Sequence, residues 1–184
     1  MKFVEPITEK SKVREIKNLM IQDGNLKMVL IFLIGCYTGL RISDILSLEY
    51  STLKENISYI TEQKTGKERR IKWHHDVKEV FNQIHDGTQT GYIFTSNSNR
   101  NKGKVWSSVY TGKAIKDYCE LAGLHGRYNN HTLRKTFAYT LYQDNNHDLV
   151  LVQQALNHSK VETTRRYLGD YISETYEAIE ALSF

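Results

Sequence analysis

Residues 57–74 read ISYITEQKTGKERRIKWH, and this stretch decides the fold class. β-Branched and aromatic residues fill 57–63, a second strand-like run covers 69–74, and the polar turn Lys64-Thr65-Gly66-Lys67 lies between them. Two such runs around a glycine-bearing turn predict a β-hairpin. The period on either side is helical. Upstream, Val13, Ile16, Leu19 and Met20 fall at helical spacing over 9–21, and Asp23-Gly24-Asn25 ends the pattern. Asn25 is then placed to cap an apolar helix running to about Gly39, and a short helix over 41–48 follows. Downstream, Asp76 and Glu79 resemble a capping box opening a helix that stops at Asp86-Gly87. YIFTS (92–96) reads as a third strand, and the chain beyond Trp106 is helical in pattern with breaks at 123–130 and 144–146. The expected fold is α+β: mainly helical, with a small antiparallel sheet of about three strands.

Composition narrows the function classes. The chain has 184 residues, 40% hydrophobic and 25% charged, which is ordinary for a globular domain able to bury a core. One proline, Pro6, and no Ser/Gly-rich linker predict a single domain over 1–184. The longest apolar run, MVLIFLIGCY (28–37), is far short of the ~20 residues of a membrane span. The opening MKFVEPITEKSK has no signal-peptide pattern, and Cys36 and Cys119 have no metal-type spacing. Both features predict a cytoplasmic protein with buried thiols. A net charge of +4 permits a polyanionic partner without demanding one.

Four segments carry residues suited to phosphate chemistry. In ALNHSKVETTRRYLGD (155–170), Ser159 and Glu162 form an S-x-x-E box, predicting a helix just after His158 with Tyr167 in its last turn. Arg165 and Arg166 precede Tyr167, and a basic neighbourhood favours the phenolate. For one tyrosine among twelve, packing is the commoner role. In NNHTLRKTFAYTL (129–141), Asn130 as N-cap would set His131 and Arg134 one turn apart on one face. A solvated basic face is the plainer alternative. In TGLRISDIL (38–46), Arg41 follows the core helix, and Asp44 at i+3 is placed to hold it, with a purely structural ion pair as rival. The hairpin itself carries Lys64, Lys67, Arg69, Arg70 and Lys72, a cation run that suits a phosphate backbone or simply a wet turn. The chain has no P-loop, no H-E-x-x-H and no DxD, so the inventory is metal-free.

The ordered set Arg41, Lys64, His131-x-x-Arg134, His158 and Tyr167 resembles the tyrosine recombinase (phage integrase) family. The carrying strings are TGLRISDIL, KTGKERRI, HTLR and LNHSKVETTRRY. The resemblance implies a recombinase catalytic domain that breaks and rejoins double-stranded DNA for integration or recombination, as in phages and mobile elements, with no cofactor and no metal. It implies that Tyr167 is the nucleophile, forming a 3′-phosphotyrosyl bond and releasing a 5′-hydroxyl. Arg41 and Arg134 would hold the nonbridging oxygens, Lys64 would protonate the leaving oxygen, His131 would accept the tyrosine proton, and His158 would donate to the phosphate. Asp44 would steady Arg41; Lys67, Arg69, Arg165 and Arg166 would contact DNA. The isolated domain is expected to be monomeric and the full-length protein tetrameric on DNA.

The chain departs from the family pattern in two places. Asn157 replaces the glycine of Leu-Gly-His-Ser, and Lys72-Trp73 stands where proline and leucine follow the hairpin. The family normally carries a separate DNA-clamping domain before this one. The chain opens at FVEPITEKSK, where the catalytic half would begin, so an excised fragment is expected in preference to an unusually minimal protein. Nine residues of straight helix between His158 and Tyr167 would rise ~13 Å, which predicts a Tyr167 displaced from the site without DNA. Ile172, Tyr176, Ile179 and Leu182 form an apolar stripe expected to cap the chain's own core, with docking on a neighbouring subunit, as the family resemblance implies, the alternative. His74-His75 is read as structural. A type IB topoisomerase-like activity and a catalytically inactive DNA-binding module are the alternatives; the LNHS-to-tyrosine spacing and the full residue set disfavour them.

Overall fold

The computed structural model describes residues 4–169. The apolar stripe of 28–37 sets the architecture. Helix α2 (Leu26–Thr38) is buried from Met28 through Gly35 and lies between α1 (Lys10–Gln22) and two later helices. Asn25 caps it as expected, its side chain accepting from the Met28 amide at 3.4 Å. Short helices α3 (Ile42–Leu46) and α4 (Tyr50–Lys54) lead into the hairpin of β1 (Ile57–Thr61) and β2 (Glu68–Lys72). Helices α5 (His75–Ile84), α6 (Ser108–Leu121) and α7 (Asn130–Asp144) follow, with α5 and α7 packing on α2.

The hairpin is antiparallel, with Ile57 opposite Lys72 and Thr61 opposite Glu68. Its period of two buries Ser58 and Ile60 from β1 and Ile71 from β2. Trp73, at the position where the family pattern has leucine, fills the core and donates its indole N–H to Ser58 at 2.9 Å. The third strand does not form. Residues 92–96 make only isolated bridges, Glu49 to Tyr92 and Thr95 to Val105, so the described sheet is two-stranded. Ile93 and Phe94 are fully buried, which explains their strand-like composition without a ladder.

Caps shift by one or two residues from the sequence reading. His74, not Asp76, caps α5 by accepting from the Asp76 amide at 3.3 Å. Asn129, not Asn130, caps α7 in a reciprocal box with Thr132, while Asn130 bonds Ser108 and Thr111. A second, smaller cluster closes the described chain. Ala138 and Tyr142 of α7, Val152 and Leu156 of α8 (Leu149–Ala155), and Leu168 of α9 (Val161–Leu168) pack together with Tyr167 against them. The stripe from Ile172 to Leu182 lies outside the described residues. No helix among the described residues is long and apolar enough to cross a membrane.

Candidate active site

Arg134 is the pivot of the site. It is 3% exposed in α7, and its guanidinium donates to the Gly39 carbonyl and, at 2.8 Å, to the Leu156 carbonyl. One side chain therefore ties the C-terminus of α2 to the end of α8. Gly39 ends α2 with a left-handed φ of 62°, and any added Cβ would collide with the Phe137 ring. Gly39→Ala should cost about 2–4 kcal/mol, from the φ penalty together with overpacking. Urea melts check this; a loss below about 0.5 kcal/mol, the level of an ordinary surface change, would refute it.

The α8–α9 turn places His158. Leu156 caps α8, the Asn157 amide donates to Gln154 and the His158 amide to Gln153, which is the Schellman pattern. Asn157 occupies its left-handed position at φ 57°. Asparagine is the residue that best tolerates this region after glycine, so the departure from Leu-Gly-His-Ser keeps the turn. The S-x-x-E box does not cap α9. Lys160 is the N-cap, and the Ser159 hydroxyl instead accepts from Lys67 of the hairpin at 2.9 Å.

His158 Nε2 faces Arg134 at 3.4 Å and Nδ1 faces the Thr164 hydroxyl at 3.0 Å. A guanidinium only donates, so Nε2 must carry the lone pair and Nδ1 the proton. The ring is therefore a neutral Nδ1–H tautomer. Burial, followed by the charges of Arg134 and Arg41, lowers its pKa from 6.5 to about 4. A group depressed on folding binds more protons unfolded, so its stability contribution is complete above about pH 6.5 and is lost as pH falls toward 4. NMR titration should find this ring neutral at pH 5.5; a midpoint near the ordinary 6.5 would contradict it.

Tyr167 is not displaced. Its ring meets His158 edge-on at 5.7 Å and 76°, and the Lys135 ammonium lies 5.4 Å from its centre. The rise argument fails because α9 begins only at Val161 and the Schellman turn folds His158 back over it. Thr164 and Tyr167, at i and i+3, then present one face to the imidazole. The Tyr167 hydroxyl is buried without a well-formed hydrogen bond. Burial outweighs the opposing charges of Arg134 and Arg41 and a weak approach of the Arg134 guanidinium that falls short of hydrogen-bond geometry, and raises its pKa to about 12. The sequence reading, in which Arg165 and Arg166 favour phenolate, is thus corrected: both are exposed, on a different side of α9 from the ring.

Arg41 is corrected as well. It is the N-cap of α3, with extended backbone, so the helical i,i+3 relation to Asp44 does not apply. Its carboxylate partner is Glu62, 2.6 Å away and fully buried. Asp44 accepts from the Gln63 amide at 2.9 Å and holds the hairpin end instead. The sequence reading does not single out Glu62, although the alternation of β1 foretells it: one residue past the strand's end, it continues the buried face of Ser58 and Ile60. Arg69 also turns inward, donating to the Thr38 carbonyl and lying 3.8 Å from Glu62, so it is no free DNA contact. Burial, chiefly, lowers its pKa to about 10.

Lys64 and His131 are exposed. Desolvation lowers the His131 pKa, and the charges of Arg134, Lys64, Arg41 and Lys135 lower it further. Among the described residues, His74, His75 and Asp76 bring possible ligand atoms within 4.8 Å of one another. They sit at the N-terminus of α5, where the helix dipole disfavours a cation.

The phage integrase family model matches residues 7–173. The chain belongs to the phage integrase family. It is 33% identical over 171 residues to a Bacillus subtilis protein named "probable integrase/recombinase YoeC", covering 92% of this chain and 91% of that one. It is 29% identical over 161 residues to the tyrosine recombinase XerH of Campylobacter jejuni, covering 83% of this chain but 44% of that protein. Among solved structures, XerA recombinase superposes with a TM-score of 0.74 at 22% identity, over 100% of this chain and 68% of that one. XerH in a post-cleavage complex with a palindromic difH substrate gives 0.72 at 22% identity, over 97% and 54%. The α+β fold of this chain is that of tyrosine recombinase catalytic domains, and by family it is a DNA strand transferase.

Proposed function

We propose that this phage integrase family member cleaves and rejoins double-stranded DNA at specific sites through Tyr167. The observation that carries the reading is geometric: Arg134 donates to the Gly39 carbonyl, two residues before Arg41, and reaches His158 at 3.4 Å, and His158 meets the Tyr167 ring edge-on at 5.7 Å. Arg134 and Arg41 act on Tyr167 and on both His131 and His158. In the reaction, the Tyr167 oxygen attacks phosphorus and its proton passes to His131, which its lowered pKa keeps unprotonated and able to accept. The P–O5′ bond breaks, and Lys64 delivers a proton to the departing oxygen. Arg41 and Arg134 offset the charge gathering on the nonbridging oxygens, a role that preorganised donors fill without any cation being recruited. The 3′-phosphotyrosyl bond retains the energy of the diester, so the reverse attack by a 5′-hydroxyl reseals a strand.

His158 fits this scheme with one condition. Its Nε2 lone pair faces Arg134, so donation to phosphate requires a proton there, or a rotated ring. Lys67, Arg165 and Arg166, all exposed, are the proposed backbone contacts. Assembly into a tetramer on paired sites, in the cytoplasm, completes the proposal.

The test uses nicked duplexes bearing a randomised half-site, so that the short downstream fragment carrying the new 5′-hydroxyl diffuses away and traps the intermediate. The protein should become covalently attached to DNA in a form that survives denaturation, and sequencing the attached strands gives the site. Absence of any adduct across the pool would refute the proposal.

A further inference from the structure

We infer that Glu62 is the positioning residue for Arg41, acting across the hairpin rather than through the helix that carries the arginine. This rests on the strand-cleavage reading above.

Glu62 is the last residue of the strand's buried face before the turn, and its side chain is 0% exposed. A carboxylate at such a depth persists only with cationic partners, because desolvation of the lone ion costs several kcal/mol. One oxygen, Oε2, accepts from Arg41 at 2.6 Å and from the Thr65 hydroxyl at 3.1 Å. The other, Oε1, has no hydrogen bond and lies 3.8 Å from Arg69 Nη1, which also has none. Arg69 in turn is anchored on the Thr38 carbonyl, one turn of chain before Arg41. The carboxylate thus sits between two guanidiniums and a hydroxyl, with Lys64 in the short turn that it closes. The turn is held by the Glu62 amide on the Lys67 carbonyl at 2.9 Å and the Gly66 amide on the Glu62 carbonyl at 2.8 Å.

This geometry orients Arg41 without touching DNA. With Nη1 committed to Glu62, the plane of the guanidinium is fixed and its other N–H groups are left to meet an oxyanion. Asp44, the carboxylate nearest in sequence, takes the Gln63 amide on Oδ1 and leaves Oδ2 buried without a hydrogen bond, whereas Arg41 bonds Glu62. Loss of Glu62 would leave Arg41 charged and present but free to rotate, a misplacement of the kind that costs about 10²-fold in rate.

The experiment compares two forms of a half-site recovered from the randomised pool: the ordinary diester, and a methylphosphonate in which a methyl group replaces one nonbridging oxygen at the scissile position. The methylphosphonate lacks the charge that Arg41 offsets. Glu62→Ala should cleave the diester about 10²-fold more slowly than the unmodified chain, with noncovalent DNA affinity within about threefold. On the methylphosphonate that gap should shrink to less than about tenfold, tracking Arg41→Ala. An undiminished gap on both substrates, or no gap on the diester, would overturn the inference. Should Glu62→Ala fail to fold, Glu62→Gln keeps the volume and an accepting oxygen. It should show a smaller diester defect that disappears on the methylphosphonate, and equal defects on both, or none, would overturn the inference equally. Failure of the unmodified chain to cleave at all would instead strike the strand-cleavage proposal.

Discussion

Tyr167→Phe should abolish the covalent DNA adduct while leaving the fold as stable as before, or slightly more so. The two halves of this expectation have separate causes. The adduct is lost because, among the described residues beside His158, the other hydroxyl, that of Thr164 on the same face of α9, is committed to the imidazole. Stability is retained because the Tyr167 hydroxyl is buried without a good hydrogen bond, so removing it relieves a desolvated polar group. The ring, packed against the α7–α8–α9 cluster and edge-on to His158, is unchanged in phenylalanine. Denaturing gels read the adduct and thermal melts read the stability. Adduct formation equal to that of the unmodified chain would remove Tyr167 from its role. A drop in stability beyond about 1 kcal/mol would show that the hydroxyl has a partner after all.

Arg134→Ala should produce the opposite combination, losing activity and stability together. Cleavage should fall by roughly 10²–10³-fold if Arg134 serves as a preorganised donor to the phosphate. The fold should lose about 2–5 kcal/mol, because the Gly39 and Leu156 carbonyls lose their donor inside the protein. Arg134→Lys would not repair this, since a single ammonium cannot span two carbonyls on different helices and still present N–H groups to a phosphate. Urea unfolding and single-turnover cleavage report the two losses independently. A variant that cleaves poorly yet melts with the unmodified chain would mean that the buried contacts contribute little, and the joint role would be wrong.

Much of this arrangement is legible in the sequence, and the misreadings share a cause. Apolar spacing located α1, where the buried Ile16 and Met20 lie four residues apart, a continuous apolar run located α2, and the β-branched run located the hairpin. YIFTS was misread because Ile93 and Phe94 are buried as loop residues, which composition does not distinguish from a strand. The caps of α5 and α7 slipped because neighbouring polar side chains compete for the same amides, and only geometry decides between Asn129 and Asn130. Glu62 escaped because its partner is twenty-one residues away, while the local rule pointed to Asp44. The protonation of Tyr167 was misjudged for a related reason. Adjacent arginines on a helix diverge from the ring, whereas desolvation depends on residues far along the chain.

The separation of the interior into a large cluster and a small one has a kinetic consequence. Among the described residues, Tyr167 packs on a cluster of five buried side chains apart from the extensive core around α2, and His158 meets its ring. Segments with few buried contacts open on their own, at a free energy well below that of global unfolding. The α8–α9 segment is thus free to detach and return many times while α2 and its neighbours stay folded. Its backbone amides should exchange with deuterium ahead of those of α2.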